Sequence, residues 1–178
     1  YEQKYEDDSR KGPLGKSPWI ELDGERIGDS ERIIAQLADR YAVDLDVGVS
    51  PEQKAMAHAW ARSFEEHFHQ ILEWELFCHP AGRAFIEASV AAQVPPVLRT
   101  VVFRVLCRHF RRQLHARGIA RHAPEVIAAK GRADVDALAA VLGARDFLAG
   151  DRPIAADAAV FGQLAPMVCW TMPTPVAS

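Results

Sequence analysis

The spacing of apolar side chains changes from strand-like to helical near residue 30, and beyond one aperiodic stretch at residues 42–50 the chain looks helical throughout. Residues 18–22 (PWIEL) read as a short strand, with Trp19, Ile20 and Leu22 supplying its apolar character. The Asp23-Gly24 pair that follows is a strong two-residue hairpin signal, because both residue types tolerate the positive φ such a turn needs. Glu25-Arg26-Ile27 then pairs back as a second strand, and from Ser30 onward Ile33, Ile34, Leu37, Ala38 and Tyr41 share one face of a helix. Strand, hairpin, strand and helix within about 25 residues, followed only by helices, predict an α/β piece over residues 1–44 and an all-α piece over 45–178.

Residues 42–50 (AVDLDVGVS) have no helical period and serve as the linker candidate, ending in Ser50-Pro51-Glu52, a helix start with proline in its first turn. Met56, Trp60, Phe64, Ile71 and Trp74 mark a long helix to about Cys78, where His79-Pro80 breaks it. A second helical segment covers roughly 81–93. A third opens at Pro95-Pro96, with Val97, Leu98, Val101, Val102, Val105 and Leu106 expected on its buried face. A fourth begins at Pro124 and ends at Gly143, and a last one runs from about Ala155 to Cys169. Two strands and a helix cannot cover both faces of a sheet, so elements completing it are expected before Tyr1.

The 178 residues are 49% hydrophobic and 25% charged, which is an ordinary globular composition. A net charge of −3 supplies no general attraction for nucleic acid or for acidic membranes. No apolar run approaches the roughly 20 residues of a membrane span, and the N-terminal residues lack a signal-peptide core, which points to the cytoplasm. Cys78, Cys107 and Cys169 are too few and too scattered for a disulfide framework or a zinc knuckle.

Several stretches together resemble the cytosolic glutathione transferase fold, a thioredoxin-like domain followed by an all-helical one. Gly12-Pro13-Leu14-Gly15-Lys16-Ser17-Pro18 is similar to the loop before the third strand of that superfamily, and Asp29-Ser30 to its acidic-Ser pair at the next helix. Phe147-Leu148-Ala149-Gly150-Asp151-Arg152-Pro153, with Ala156-Asp157-Ala158 and Phe161-Gly162, resembles the buried helix start of the second domain. Within the superfamily the wording is most similar to the failed-axon-connections and metaxin-like branch, bacterial members included. One position departs: three residues before Asp157, where the family has Ser or Thr, this chain has Ile154. Asp157 is therefore expected to accept from backbone N–H groups at the helix start, with Ile154 packing as an apolar staple.

The resemblance implies a cis bond before Pro18, which leaves the backbone N–H and C=O of Ser17 facing a groove where a peptide can pair like an added strand. It implies a carboxylate over Ser30 at the positive end of a helix, an ammonium beside Asp29, and a second carboxylate near Lys16. Glutathione has that layout, so Lys16, Ser17, Pro18, Asp29 and Ser30 are the candidate site and glutathione the expected co-substrate. A hydrophobic electrophile as second substrate and a homodimer are further implications. The hydroxyl or thiol that lowers the glutathione thiol pKa would be a Tyr, Ser or Cys upstream of residue 1, so no catalytic residue can be named.

Other readings compete. Asp29 and Ser30 can simply cap a helix, Lys16 can be an ordinary surface lysine, and the metaxin-like likeness favours a non-catalytic binding or assembly module. Glu66-His67-Phe68-His69 contains one Glu-x-x-His, but carboxylate-bridged metal sites need a second, so no metal is expected. Arg104, Arg108, Arg111, Arg112 and His115 form a basic stripe, readable as a solvated face or an anion surface. Trp60, Phe64, Phe68 and Trp74 are core candidates, some of which could line an apolar substrate pocket.

Overall fold

The computed structural model describes Glu2, residues 9–169 and residues 174–176, with the side chains of Val90, Ala92 and Gln93 outside that description. The chain divides into two compact units, Tyr1–Val47 and Gly48–Ser178. The smaller holds β1 (Trp19–Leu22), β2 (Glu25–Gly28) and α1 (Ser30–Tyr41). β1 and β2 pair antiparallel, from Trp19 opposite Gly28 to Leu22 opposite Glu25. Their turn is the expected Asp23-Gly24 pair, with φ of 53° and 83°. Ile27 and Ile33 are buried, while Ile34 and Tyr41, expected on the inner face of α1, are exposed.

The larger unit is helical. α2 (Pro51–Arg62) starts with a capping box: Ser50 Oγ accepts from the Gln53 N–H at 3.2 Å and Gln53 Oε1 accepts from the Ser50 N–H at 2.9 Å. It continues through a π-helical stretch, Ser63–Phe68, into α3 (His69–Phe77), making one long rod. α4 (Pro80–Gln93), α5 (Arg99–Arg117), α6 (Pro124–Leu142) and α7 (Ala155–Cys169) follow. Phe64 and Phe68 sit at the centre of the main core with Leu72, Leu76, Leu138, Leu148, Val160 and Met167, so both phenylalanines serve packing. Trp74 joins a second cluster with Ile71, Leu114, Ile119 and Ile127. Met56, placed by periodicity on the inner face of its helix, is 48% exposed.

α5 turns a different face inward from the one its valines suggest. Val97, Val101 and Val105 are 87%, 61% and 62% exposed, and Leu98 and Val102 are exposed as well. Phe103, Cys107 and Leu114 are buried instead, and Phe110 stacks flat on Phe77 with ring centroids 3.7 Å apart. Two apolar stripes compete on this helix. The Phe103–Cys107–Phe110–Leu114 stripe wins because each aromatic ring or leucine removes more surface from water than a valine does. The helix also begins at Arg99, after a turn in which the Leu98 N–H donates to the Pro95 carbonyl at 2.9 Å.

Candidate functional site

All five candidate site residues belong to the smaller unit and all are exposed. The Ser17–Pro18 peptide bond is cis, as expected. Ser17 lies two residues before the first β1 pair, and Ser30 two residues after that pair's partner on β2. Both residues therefore flank the end of the ladder at which Trp19 pairs with Gly28. The loop before β1 is anchored to this end. It closes through the Gly15 N–H donating to the Gly12 carbonyl at 2.9 Å, and a Cβ on Gly28 would lie 3.1 Å from Pro13 Cγ and 3.3 Å from Leu14 Cγ. Gly28 is thus held bare because the loop carrying Lys16 and Ser17 rests on it, one residue ahead of Asp29.

Asp29 is the N-cap of α1, with φ of 79° and ψ of 122°. Its Oδ1 accepts from the Glu31 N–H at 3.0 Å and the Arg32 N–H at 3.2 Å, which is the capping role the sequence left open. Two of the free amides at the helix start are therefore satisfied by the protein's own carboxylate. An incoming anion would meet the amide and hydroxyl of Ser30 rather than a bare helix end.

Asp157 performs the structural task expected of it. Oδ2 accepts from the Ile154 N–H and Oδ1 from the Leu148 N–H, both at 2.9 Å, and Ile154 is buried. The two histidines of the Glu-x-x-His region point to different partners. His67 Nδ1 lies 2.8 Å from Asp134 Oδ2, whereas His69 Nδ1 lies 3.0 Å from Gln163 Oε1 and its Nε2 3.5 Å from Glu73 Oε1. Burial alone would raise the Glu73 carboxyl, but His69 and Arg117, whose Nη1 is 3.1 Å away, pull it below its ordinary value. The bond to Glu73 in turn lifts His69. No group of three metal-ligating side chains occurs among the described residues.

Trp60, half-buried, lines a cavity of about 200 Å³ in the helical unit together with Glu52, Gln53, Met56, Ala57, Arg145 and Leu148. No helix among the described residues is long and apolar enough to cross a membrane.

A family model described as the glutathione S-transferase N-terminal domain matches residues 1–82, and one described as the glutathione S-transferase C-terminal domain matches residues 131–178. The chain is 32% identical over 156 residues to an isoprene-epoxide–glutathione S-transferase of Rhodococcus sp. (strain AD45), covering 85% of this chain and 65% of that protein. It is 29% identical over 165 residues to Failed axon connections of Drosophila melanogaster, covering 88% of this chain and 39% of that protein. The chain thus spans less than two thirds of the length of either relative. No solved structure matches it. Two domain families in the expected order, joined to a hairpin and helix ahead of an all-helical unit, establish that the chain belongs to the glutathione S-transferase superfamily.

Proposed function

We propose that this protein binds glutathione through Lys16, Ser17, Pro18, Asp29 and Ser30 and conjugates its thiolate to a small hydrophobic electrophile. The observation that supports the reading is the cis Ser17–Pro18 bond directly ahead of β1, with Ser17 and Ser30 each two residues beyond the Trp19–Gly28 pair that ends the ladder, and with the loop before β1 packing Pro13 and Leu14 on Gly28. In this reading the tripeptide backbone pairs with the main chain of Ser17. The γ-glutamyl carboxylate takes the Ser30 amide and hydroxyl, and its ammonium meets Asp29 through Oδ2, because Oδ1 is engaged in the cap. Lys16 faces the glycyl carboxylate. The name of the Rhodococcus relative points to an epoxide as the class of electrophile. Thiolate attack opens such a ring by forming the C–S bond as the C–O bond breaks, and the alkoxide then takes up a proton. We also read the protein as a cytoplasmic homodimer.

Calorimetric titration with glutathione tests the site. The native protein is expected to bind, and Ser30→Ala, which removes one donor to a charged group, is expected to weaken binding about tenfold. Absence of binding by the native protein favours the second reading, a non-catalytic binding or assembly module, which the similarity to Failed axon connections supports.

A further inference from the structure

Residues 83–130 fall between the two matched regions, and they contain most of a second cavity. It measures about 280 Å³ and is lined by Phe77 and Cys78 at the end of α3, Arg83 on α4, and Arg104, Cys107, Arg108 and Arg111 on α5. Four of its seven lining residues are arginines and none is acidic. The three on α5 are spaced by four and three residues, so they share one side of that helix, and Arg83 reaches in from the neighbouring helix. No carboxylate among the described residues pairs with any of these four guanidinium groups. Arg83 is instead held with its Cζ 5.6 Å from the Phe103 ring centroid.

Three arginines elsewhere in the chain do have carboxylate partners: Arg40 pairs with Asp23, Arg62 with Glu65 and Arg117 with Glu73. Gathering four cations around one hollow with no paired carboxylate among the described residues is unfavourable, because like charges one helical turn apart repel. The floor is of a different kind. Phe77 is stacked on Phe110, Cys107 is buried, and burial holds the Cys78 thiol up, with Arg111 and Arg83 offsetting it only in part. The Cys78 thiol therefore stays neutral and does not compete for the arginines.

We propose that this cavity is a binding site for a small organic phosphate, with the phosphoryl oxygens held by Arg83, Arg104, Arg108 and Arg111 and an aromatic or short aliphatic body lying over Phe77 and Cys107. The guanidinium fork matches a doubly charged phosphate in geometry, and several forks suit its three oxygens better than a single carboxylate. The volume limits the body to about the size of one ring. The sequence displays the α5 stripe, but the contributions of Arg83, Phe77 and the two cysteines come from helix packing alone. This site is independent of the glutathione reading and stands or falls without it.

Isothermal titration of the whole protein with phenyl phosphate, at low ionic strength, tests the assignment. Binding is expected in the native protein and about tenfold weaker in Arg108→Gln and in Arg111→Gln, each of which removes charge-assisted bonds. Arg112→Gln removes the same charge from the same helix outside the cavity and is expected to leave binding within twofold. All three side chains are exposed, so folding is not at issue. Alkylation of Cys78 by iodoacetamide, followed by peptide mass spectrometry, is expected to slow when phenyl phosphate is present. The proposal is overturned if phenyl phosphate fails to bind at millimolar concentration, if Arg112→Gln weakens it as much as Arg108→Gln does, or if inorganic phosphate binds as tightly as phenyl phosphate.

Discussion

Replacing Asp157 by alanine should destabilise the helical unit more than any ordinary capping change. The carboxylate accepts two backbone N–H groups at 2.9 Å, from Leu148 and Ile154, so it ties both ends of the loop preceding α7 to that helix. The side chains of those two residues are among the buried ones, at 7% and 6% exposure, and Leu148 belongs to the main core. Hydrogen bonds to an ionised acceptor contribute about 1.5–3 kcal/mol each, but Asp157 is only half-buried and water can replace part of that, so a loss of about 2–4 kcal/mol is expected. At about 3–5 °C per kcal/mol for a unit of this size, the melting temperature should fall by roughly 6–20 °C. Asp157→Asn keeps one acceptor and should lose about half as much. Urea denaturation measures the free energy, and amide hydrogen exchange shows whether the Leu148 and Ile154 N–H groups lose protection. A loss below about 1 kcal/mol, or unchanged exchange at those two amides, would refute the double-tether argument.

Gly82 in α4 is a point of close approach, since a Cβ there would lie 1.8 Å from the Glu75 carbonyl oxygen and 2.7 Å from Leu76 Cα, both backbone atoms. Gly82→Ala should therefore cost about 2–3 kcal/mol in a denaturation experiment, despite the roughly 1 kcal/mol that alanine normally gains in a helix. The lift on His69 gives stability that is complete below its unfolded value of 6.5 and fades as pH rises through the raised folded value. The lowering of Glu73 gives stability that is complete above 4.5 and fades as pH falls through the folded value, so the pair acts fully between about pH 4.5 and 6.5. His69→Gln should flatten the stability profile at the alkaline edge of that window by less than about 1 kcal/mol, the histidine being partly exposed. Glu75 is 1% exposed, and burial pushes its carboxyl up against the opposing pull of Thr174 and the Val176 N–H, which donates to Oε1 at 2.9 Å. Folded Glu75 holds its proton more tightly than the unfolded chain does, so stability falls as pH rises from about 4.5 through the raised value; Glu75→Gln should remove that fall, as followed by melting temperature across pH.

The order and type of elements could be read from local chemistry. Asp23-Gly24 can occupy the positive-φ turn of a tight hairpin, Ser50-Pro51 opens α2, and Gly143 closes α6, each acting through the backbone within a few residues. Asp157 was legible for the same reason, because a cap is satisfied by neighbours in sequence. The orientation of α5 was not. Its valine stripe and its Phe103–Leu114 stripe are both consistent with helical period, and only competition for buried area against α3 and α4 selects between them. Nor does any local rule say whether Asp29 spends its carboxylate on its own helix or on a ligand; the positive φ at that residue turns Oδ1 onto the Glu31 and Arg32 amides. The sequence by itself determined where strands and helices begin, what kind they are, and which superfamily they spell. Tertiary structure alone decided which faces meet, because burial is shared among residues far apart in the chain, and it is that meeting that gathers four arginines, none paired with a carboxylate among the described residues, over an apolar floor.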